Sequence, residues 1–321
     1  MENYKRVKLE ISERTEKFKK CVEEEKFLEE LNNHLQIKER KEYQDIPIQF
    51  PIIFTFGVPR TGTTILTQLL SHCLEVGFIN NFSARFWLAP VHGIRLSRII
   101  IGHDKGEFNS EFGRTKSLHD PHEFGYFWYY WLNMKEDDDF YKPGKNISSI
   151  DWNGLKKTLA NIQTEFNKPM VMKNYFGVPY FEELNKLANV LWIYIERNDE
   201  DVVQSIYNAR VKYYNNPNKW WSIKPPEYDK IKELPYQEQI PAQAYYLKKF
   251  YQKKVAENKN TLKVSYEELC ESPMEVLDKV CKKIKELYGK SITIKDNVPS
   301  KFEKSTHKVR DELKRGIKKY F

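Results

Sequence analysis

A chain of 321 residues, 40% hydrophobic and 14% aromatic, can bury a substantial core as one decorated α/β domain or two small ones. It contains no run of 18 apolar residues, so no membrane span is expected. The net charge of +8 is concentrated in residues 241–321, where 20 Lys or Arg face 11 Asp or Glu, a surplus of 9; such a lobe suits an anionic ligand, nucleic acid or an acidic surface, or is simply a solvated lysine-rich face.

The N-terminus, MENYKRVKLEISERTEKFKK, lacks the apolar centre of a signal peptide, and a cytoplasmic location is expected. Residues 1–45 read as a helical extension. Val22, Phe27, Leu28, Leu31 and Leu35 are sparse apolar positions at helical spacing in a charge-dense stretch, predicting surface helices over residues 4–43 packed on the main domain. Cys21, Cys73, Cys270 and Cys281 form no C-x-x-C pair, so buried thiols rather than disulfides or a zinc site are expected, with Cys73 and Cys281 on apolar stripes.

The segment PIIFTFGVPRTGTTILTQLL, residues 51–70, carries the strongest signal. Ile52 to Phe56 suits a buried parallel strand. Gly57 and Gly62 permit a tight loop close to a ligand. Ile65, Leu66, Leu69, Leu70 and Cys73 then recur at helical spacing. This is a phosphate-binding loop of the G-x-x-x-x-G-K-[ST] kind, except that Thr63 stands where the lysine is expected. Free amides at the helix start favour an oxyanion. Thr63 and Thr64 add hydroxyls, and Arg60 adds a forked cation. Without the lysine, the ligand is expected not to be ATP or GTP.

Residues 80–150 are aromatic and irregular, and no element is assigned there. A short strand is expected at 169–172, ending at Lys173, and a second at 190–195. A helix follows over about 199–214. Residues 215–241 hold five prolines and read as a long lid or binding loop. A helix at 242–257 and a strand at 261–264 come next. Ser272, Pro273 and Glu275 have the pattern of a capping box opening a helix whose apolar face is Leu277, Val280, Cys281, Ile284 and Leu287. Strands alternating with helices predict an α/β fold with a mostly parallel central sheet flanked by helices.

Arg197, after the second strand, and Ser205, two turns into the next helix, are placed to bind a second phosphate; alternatively Asn198 is a helix cap and Arg197 is structural. In these segments the chain resembles sulfotransferases that use 3′-phosphoadenosine 5′-phosphosulfate (PAPS). GVPRTGTT is similar to the loop that binds the 5′-phosphosulfate in that family, which here implies Arg60, Thr61, Gly62, Thr63 and Thr64. RNDEDVVQS resembles the family's R-D-P-x-x-x-x-x-S, implying Arg197 and Ser205 at the 3′-phosphate, with Asn198 and Asp199 replacing Asp-Pro. KPMVMKN resembles a strand ending in K-S-P, with Lys173 matched and Asn174 departing. VSYEELCESP resembles Y-E-x-L-x-x-x-P, and the arginine at 60 is the form found in bacterial and carbohydrate-directed branches.

The resemblance implies a single three-layer P-loop-like domain over 1–321, PAPS as co-substrate, no metal, and a basic closing segment at 296–321. It also implies sulfuryl transfer to a hydroxyl acceptor, a small molecule or glycan, with a saccharide as one candidate. The acceptor needs a general base. Glu123 matches a P-x-E element of related branches. His122 and His119 are rivals, and all three are otherwise ordinary loop residues. Lys173 neutralises charge or positions the base, or is a surface lysine. The aromatic runs 126–131 and 220–221 are acceptor walls or packing. Two other functions remain: a P-loop kinase for a small molecule, which the missing lysine disfavours, and a basic nucleic-acid-binding protein, for which no motif is present.

Overall fold

The computed structural model describes residues 13–102, 108, 113, 115–134 and 147–321. The start of the expected N-terminal helical stretch, residues 4–12, lies outside the described residues, as do parts of the irregular 80–150 region. In chain order the elements are α1 (Val22–Glu42), β1 (Ile52–Phe56), α2 (Thr63–Cys73), β2 (Gly77–Phe78), α3 (Pro90–Ile100), α4 (Gly125–Trp131), α5 (Trp152–Phe166) and β3 (Met170–Lys173). There follow α6 (Phe181–Leu187), β4 (Val190–Glu196), α7 (Asp199–Tyr214), α8 (Tyr228–Ile231), α9 (Tyr236–Ala256), β5 (Thr261–Ser265), α10 (Tyr266–Glu271), α11 (Pro273–Tyr288) and α12 (Asp311–Tyr320).

The five strands pair in the order β2-β3-β1-β4-β5, all parallel. Every residue of β1 is buried, and alternate side chains enter two separate cores. Ile52, Phe54 and Phe56 join Trp192 and Tyr194 on one face, packed with α5, α7 and α9. Ile53 joins Leu191, Ile193 and Ile195 on the other, packed with α2, α10 and α11. The result is three layers: helices, a parallel sheet and helices.

Several expectations change. Residues 80–150, where sequence periodicity assigns no element, contain α3 and α4, and α5 follows directly. The loop expected over 215–241 is shorter, because α9 begins at Tyr236 and carries Pro241 within it. α11 starts where expected, but Ser272 makes no side-chain cap; the preceding α10 is capped by Ser265, whose hydroxyl accepts from the Glu268 amide at 3.0 Å.

The N-terminal helix is held differently from its apolar spacing. Val22 and Phe27 are each 63% exposed. The buried residues of α1 are Asn32 and Glu39. Asn32 donates to the Arg85 carbonyl and accepts from the Leu88 amide. Glu39 accepts from the Val91 and His92 amides at 3.1 and 2.8 Å, and also contacts the His92 ring and the Tyr43 hydroxyl. Those amides open α3, so one carboxylate caps that helix and fastens α1 to it. Replacing Glu39 by Ala orphans both amides. A loss of about 2–4 kcal/mol in urea unfolding is expected, against under ~0.5 kcal/mol for Phe27→Ala. An equal cost for both variants would refute the polar anchor.

Candidate functional site

The loop between β1 and α2 is shaped by two close approaches. A Cβ on Gly57 would lie 2.6 Å from the Ile195 carbonyl of β4 and 2.6 Å from the Thr61 hydroxyl. Gly62 has φ of 99°, and a Cβ there would meet the Tyr266 ring at 2.5 Å. Arg60 is left-handed as well, with φ of 77° and no glycine to relieve it. Thr61 bonds the Val58 carbonyl through both amide and hydroxyl, so its hydroxyl holds the turn. Thr63 and Thr64 open α2, where amides lack intrahelical acceptors.

Arg60, Arg197 and Ser205 converge. The Arg60 Nε donates to Ser205 Oγ at 3.0 Å, and an Arg197 terminal nitrogen donates to the Arg60 carbonyl at 3.2 Å. Arg197 lies 4.3 Å over the Tyr266 ring and also donates to the Ser305 carbonyl. Its Nε is buried without a hydrogen-bond partner. Burial pushes the Arg60 guanidinium down to about 10, and the Arg197 charge pushes the same way. Asn198 caps α7 through the Asp201 amide. The C-terminal segment crosses this end of the sheet, with Ser305, His307 and Arg310 donating backbone N–H groups to Tyr266, Asp201 and Gln204. Part of the expected basic closing segment therefore covers Arg197.

Beside the loop lies a cavity of about 530 Å³ whose walls include Thr64, His122, Glu123, Lys173 and Tyr175. The Lys173 ammonium donates to Thr64 Oγ1 at 3.2 Å and to Glu123 Oε1 at 2.5 Å. Tyr175 donates to the second Glu123 oxygen at 3.2 Å. Burial raises the Glu123 carboxyl, but the Lys173 charge and hydrogen bond, helped by His122 and Tyr175, outweigh it and hold the group below the usual carboxylate range. Although the His122 ring opens onto the cavity, the surrounding walls push its imidazole down to about 4. Its Nδ1 accepts from the Phe124 amide at 2.9 Å, so that lone pair is engaged. His119 does not line the cavity.

The aromatic runs divide. Phe127, Trp128 and Trp131 are core residues, whereas Tyr126, Tyr129, Trp220 and Trp221 face the cavity. The sequence missed Tyr175, Tyr213, Arg14 and Lys20 as wall residues. Tyr175 was findable, since i and i+2 share one side of an extended chain running out from β3. Arg14 and Lys20 arrive by long-range docking of the N-terminal segment, which leaves no local signal.

The sulfotransferase domain family matches residues 51–310. No curated protein matches the chain. Similar solved structures include sulfotransferase STF1 from Mycobacterium tuberculosis, at 16% identity over 88% of this chain and 75% of that one, with a TM-score of 0.48. Sulfotransferase STF9 from Mycobacterium avium is 16% identical over 78% and 67% of the two chains, with a TM-score of 0.49. The sulfotransferase domain of a Synechococcus olefin synthase is 14% identical over 75% of each, with a TM-score of 0.39. Assignment to the family rests on the sequence match, not on these likenesses.

The Lys173–Glu123 pair has a pH signature. A lowered carboxyl stabilises the fold above the ordinary carboxylate range and loses that contribution as pH falls through the lowered value. In Lys173→Met only burial and weaker neighbours remain. The Glu123 titration, followed by carbon-13 NMR, is expected to move upward. An unmoved titration would remove Lys173 as its main partner.

Proposed function

The chain belongs to the sulfotransferase domain family, and we propose that it moves a sulfuryl group from PAPS to a hydroxyl acceptor. The observation that carries this reading is the bridging position of Lys173, between Thr64 at the anion-binding helix start and Glu123 on the cavity wall. Donor loop and base thereby share one cation. In this reading Arg60, Gly62, Thr63 and Thr64 hold the 5′-phosphosulfate, with Thr61 keeping the turn. Arg197 and Ser205 hold the 3′-phosphate. Two neighbouring arginines, one with an unsatisfied buried Nε, suit a dianion.

Sulfuryl transfer, like phosphoryl transfer, passes through a loose, in-line transition state, so positioning and charge stabilisation dominate. Glu123 takes the acceptor hydroxyl proton as the new S–O bond forms. The S–O bond to the 5′-phosphate breaks, and adenosine 3′,5′-bisphosphate leaves. Arg60, Lys173 and the α2 amides face the charge that collects on the leaving oxygen. The engaged Nδ1 of His122, and the place of Glu123 beside Lys173 and Thr64, support Glu123 over it as the base. A saccharide is one acceptor class that the aromatic walls suit. The whole chain, 1–321, acts as one domain without a metal, and its four free cysteines support a reducing compartment such as the cytoplasm.

Calorimetry with adenosine 3′,5′-bisphosphate tests the donor site: the protein is expected to bind it, and Arg197→Ala to weaken it roughly 30–100-fold. Glu123→Gln is expected to keep that affinity and lower kcat by about 10²–10⁴. Phosphoryl transfer from magnesium-ATP by a protein indifferent to the bisphosphate would defeat this reading and favour the kinase alternative.

A further inference from the structure

The cavity wall carries more positive charge than the Lys173–Glu123 pair requires. Its described lining holds Arg14, Lys20, Lys173 and Lys224 against a single carboxylate, Glu123. Lys173 is engaged by that carboxylate, and Lys20 pairs with Glu25 at 2.9 Å. Arg14 differs. Among the described residues no carboxylate lies within ion-pair distance of it, and its Nε is buried without a hydrogen-bond partner.

The protein nevertheless fixes Arg14 in place. The adjacent Thr15 donates its amide to the Tyr213 carbonyl at 2.7 Å and its hydroxyl to the Lys212 carbonyl at 3.0 Å. Phe18 stacks on Tyr213 at 4.1 Å between ring centroids, and the Arg14 guanidinium lies 5.6 Å from the centroid of the same ring. Glu13 pairs with Lys219 of the lid. These contacts tie the segment to the C-terminal end of α7, about 12 Å along the helix from Ser205 and the donor loop, at 1.5 Å per residue. A guanidinium held in a walled cavity with an unsatisfied N–H favours an anion able to accept two parallel hydrogen bonds.

We propose that the acceptor is a ring-bearing hydroxyl compound that also carries an acidic group, a carboxylate, sulfate or phosphate ester, and that Arg14 binds that group. This rests on the sulfuryl-transfer reading above. The aromatic side chains of the cavity receive the ring, Glu123 meets the hydroxyl, and Arg14 meets the acid. Arg14 is then a specificity residue with no part in the bond-making step.

The test uses the full-length protein with PAPS and two matched acceptor pairs. One pair is 4-hydroxyphenylacetate and its amide; the other is a glucuronate-terminated saccharide and its glucose-terminated counterpart. In at least one pair the acid is expected to have a KM roughly 10–100-fold below its neutral partner. Arg14→Gln is expected to close that gap while adenosine 3′,5′-bisphosphate binds as in the wild type, and Arg14→Lys to keep part of it. Neutral members accepted as well as acids in both pairs, or acids not accepted at all, would overturn the inference. So would a gap that survives Arg14→Gln, or weaker bisphosphate binding in that variant, which would place Arg14 at the donor. Failure of the wild type to bind the bisphosphate would overturn the donor reading itself; the other results overturn the acidic acceptor alone.

Discussion

The parallel register of three strands governs where every group at the cleft can lie. β1 is central, with Thr55 beside Lys173 of β3 and Phe56 beside Tyr194 of β4. The carboxyl ends of all three strands therefore finish together, and the loop at Gly57, the ammonium of Lys173 and the guanidinium of Arg197 emerge at one edge. Side chains alternate along a strand, so a one-residue slip of β3 would turn Lys173 into a helical layer and a core side chain into the cleft. Both faces of the sheet are apolar, which makes that slip costly. Burial far from the site thus fixes the distance from Lys173 to Thr64 and Glu123.

The site concentrates cations that the fold neutralises only in part. Arg60 and Arg197 are adjacent, and Arg60 is held by a left-handed backbone that a non-glycine residue adopts at some cost. Arg197 lies 3.9 Å from the Asp201 carboxylate and is otherwise held by carbonyl oxygens and an aromatic face, none of which carries a full charge. Such an arrangement gains most from a doubly charged ligand, because neutral acceptors leave the mutual repulsion in place. At the cavity the logic reverses. Glu123 and Lys173 compensate one another, and the pair holds the carboxyl below its usual range although burial pushes it up.

What was legible in the sequence tracks how local the information is. The strand, loop and helix from 51 to 74 combine a buried run, two spaced glycines and a helical stripe, and all three survive in the structure. Residues 80–150 were opaque because aromatics there serve both core and cavity, so neither period stands out: Trp128 is buried while its neighbour Tyr129 faces the cavity. The N-terminal helix misled for the opposite reason. Its apolar spacing is visible, but Val22 and Phe27 are exposed and the buried contacts belong to Asn32 and Glu39, polar residues whose contacts with the main domain span more than fifty positions. At 198–199, where the chain departs from the family pattern, Asn198 caps α7, and Arg197 and Ser205 are linked through Arg60.

The loop after α7 shows how a segment without its own ladder acquires a fixed shape. Arg210 is fully buried and has no carboxylate partner among the described residues. Its terminal nitrogens donate to the Pro217 carbonyl at 3.1 Å, Gln239 at 2.6 Å and Gln243 at 2.9 Å. Gln243 passes the connection on to the Trp221 and Ile223 carbonyls. Burial pushes the guanidinium down to about 9, so it stays charged at neutral pH and keeps all its donors. A lysine would bring three donors around one point, too compact to reach partners on both sides of a planar fork. The proline-rich loop cannot supply those donors itself. The aromatic wall at Trp220 and Trp221 is therefore positioned from α7 and α9. Because α7 also carries Ser205, five residues before Arg210, the Arg60 contact and the aromatic wall are both held from one helix.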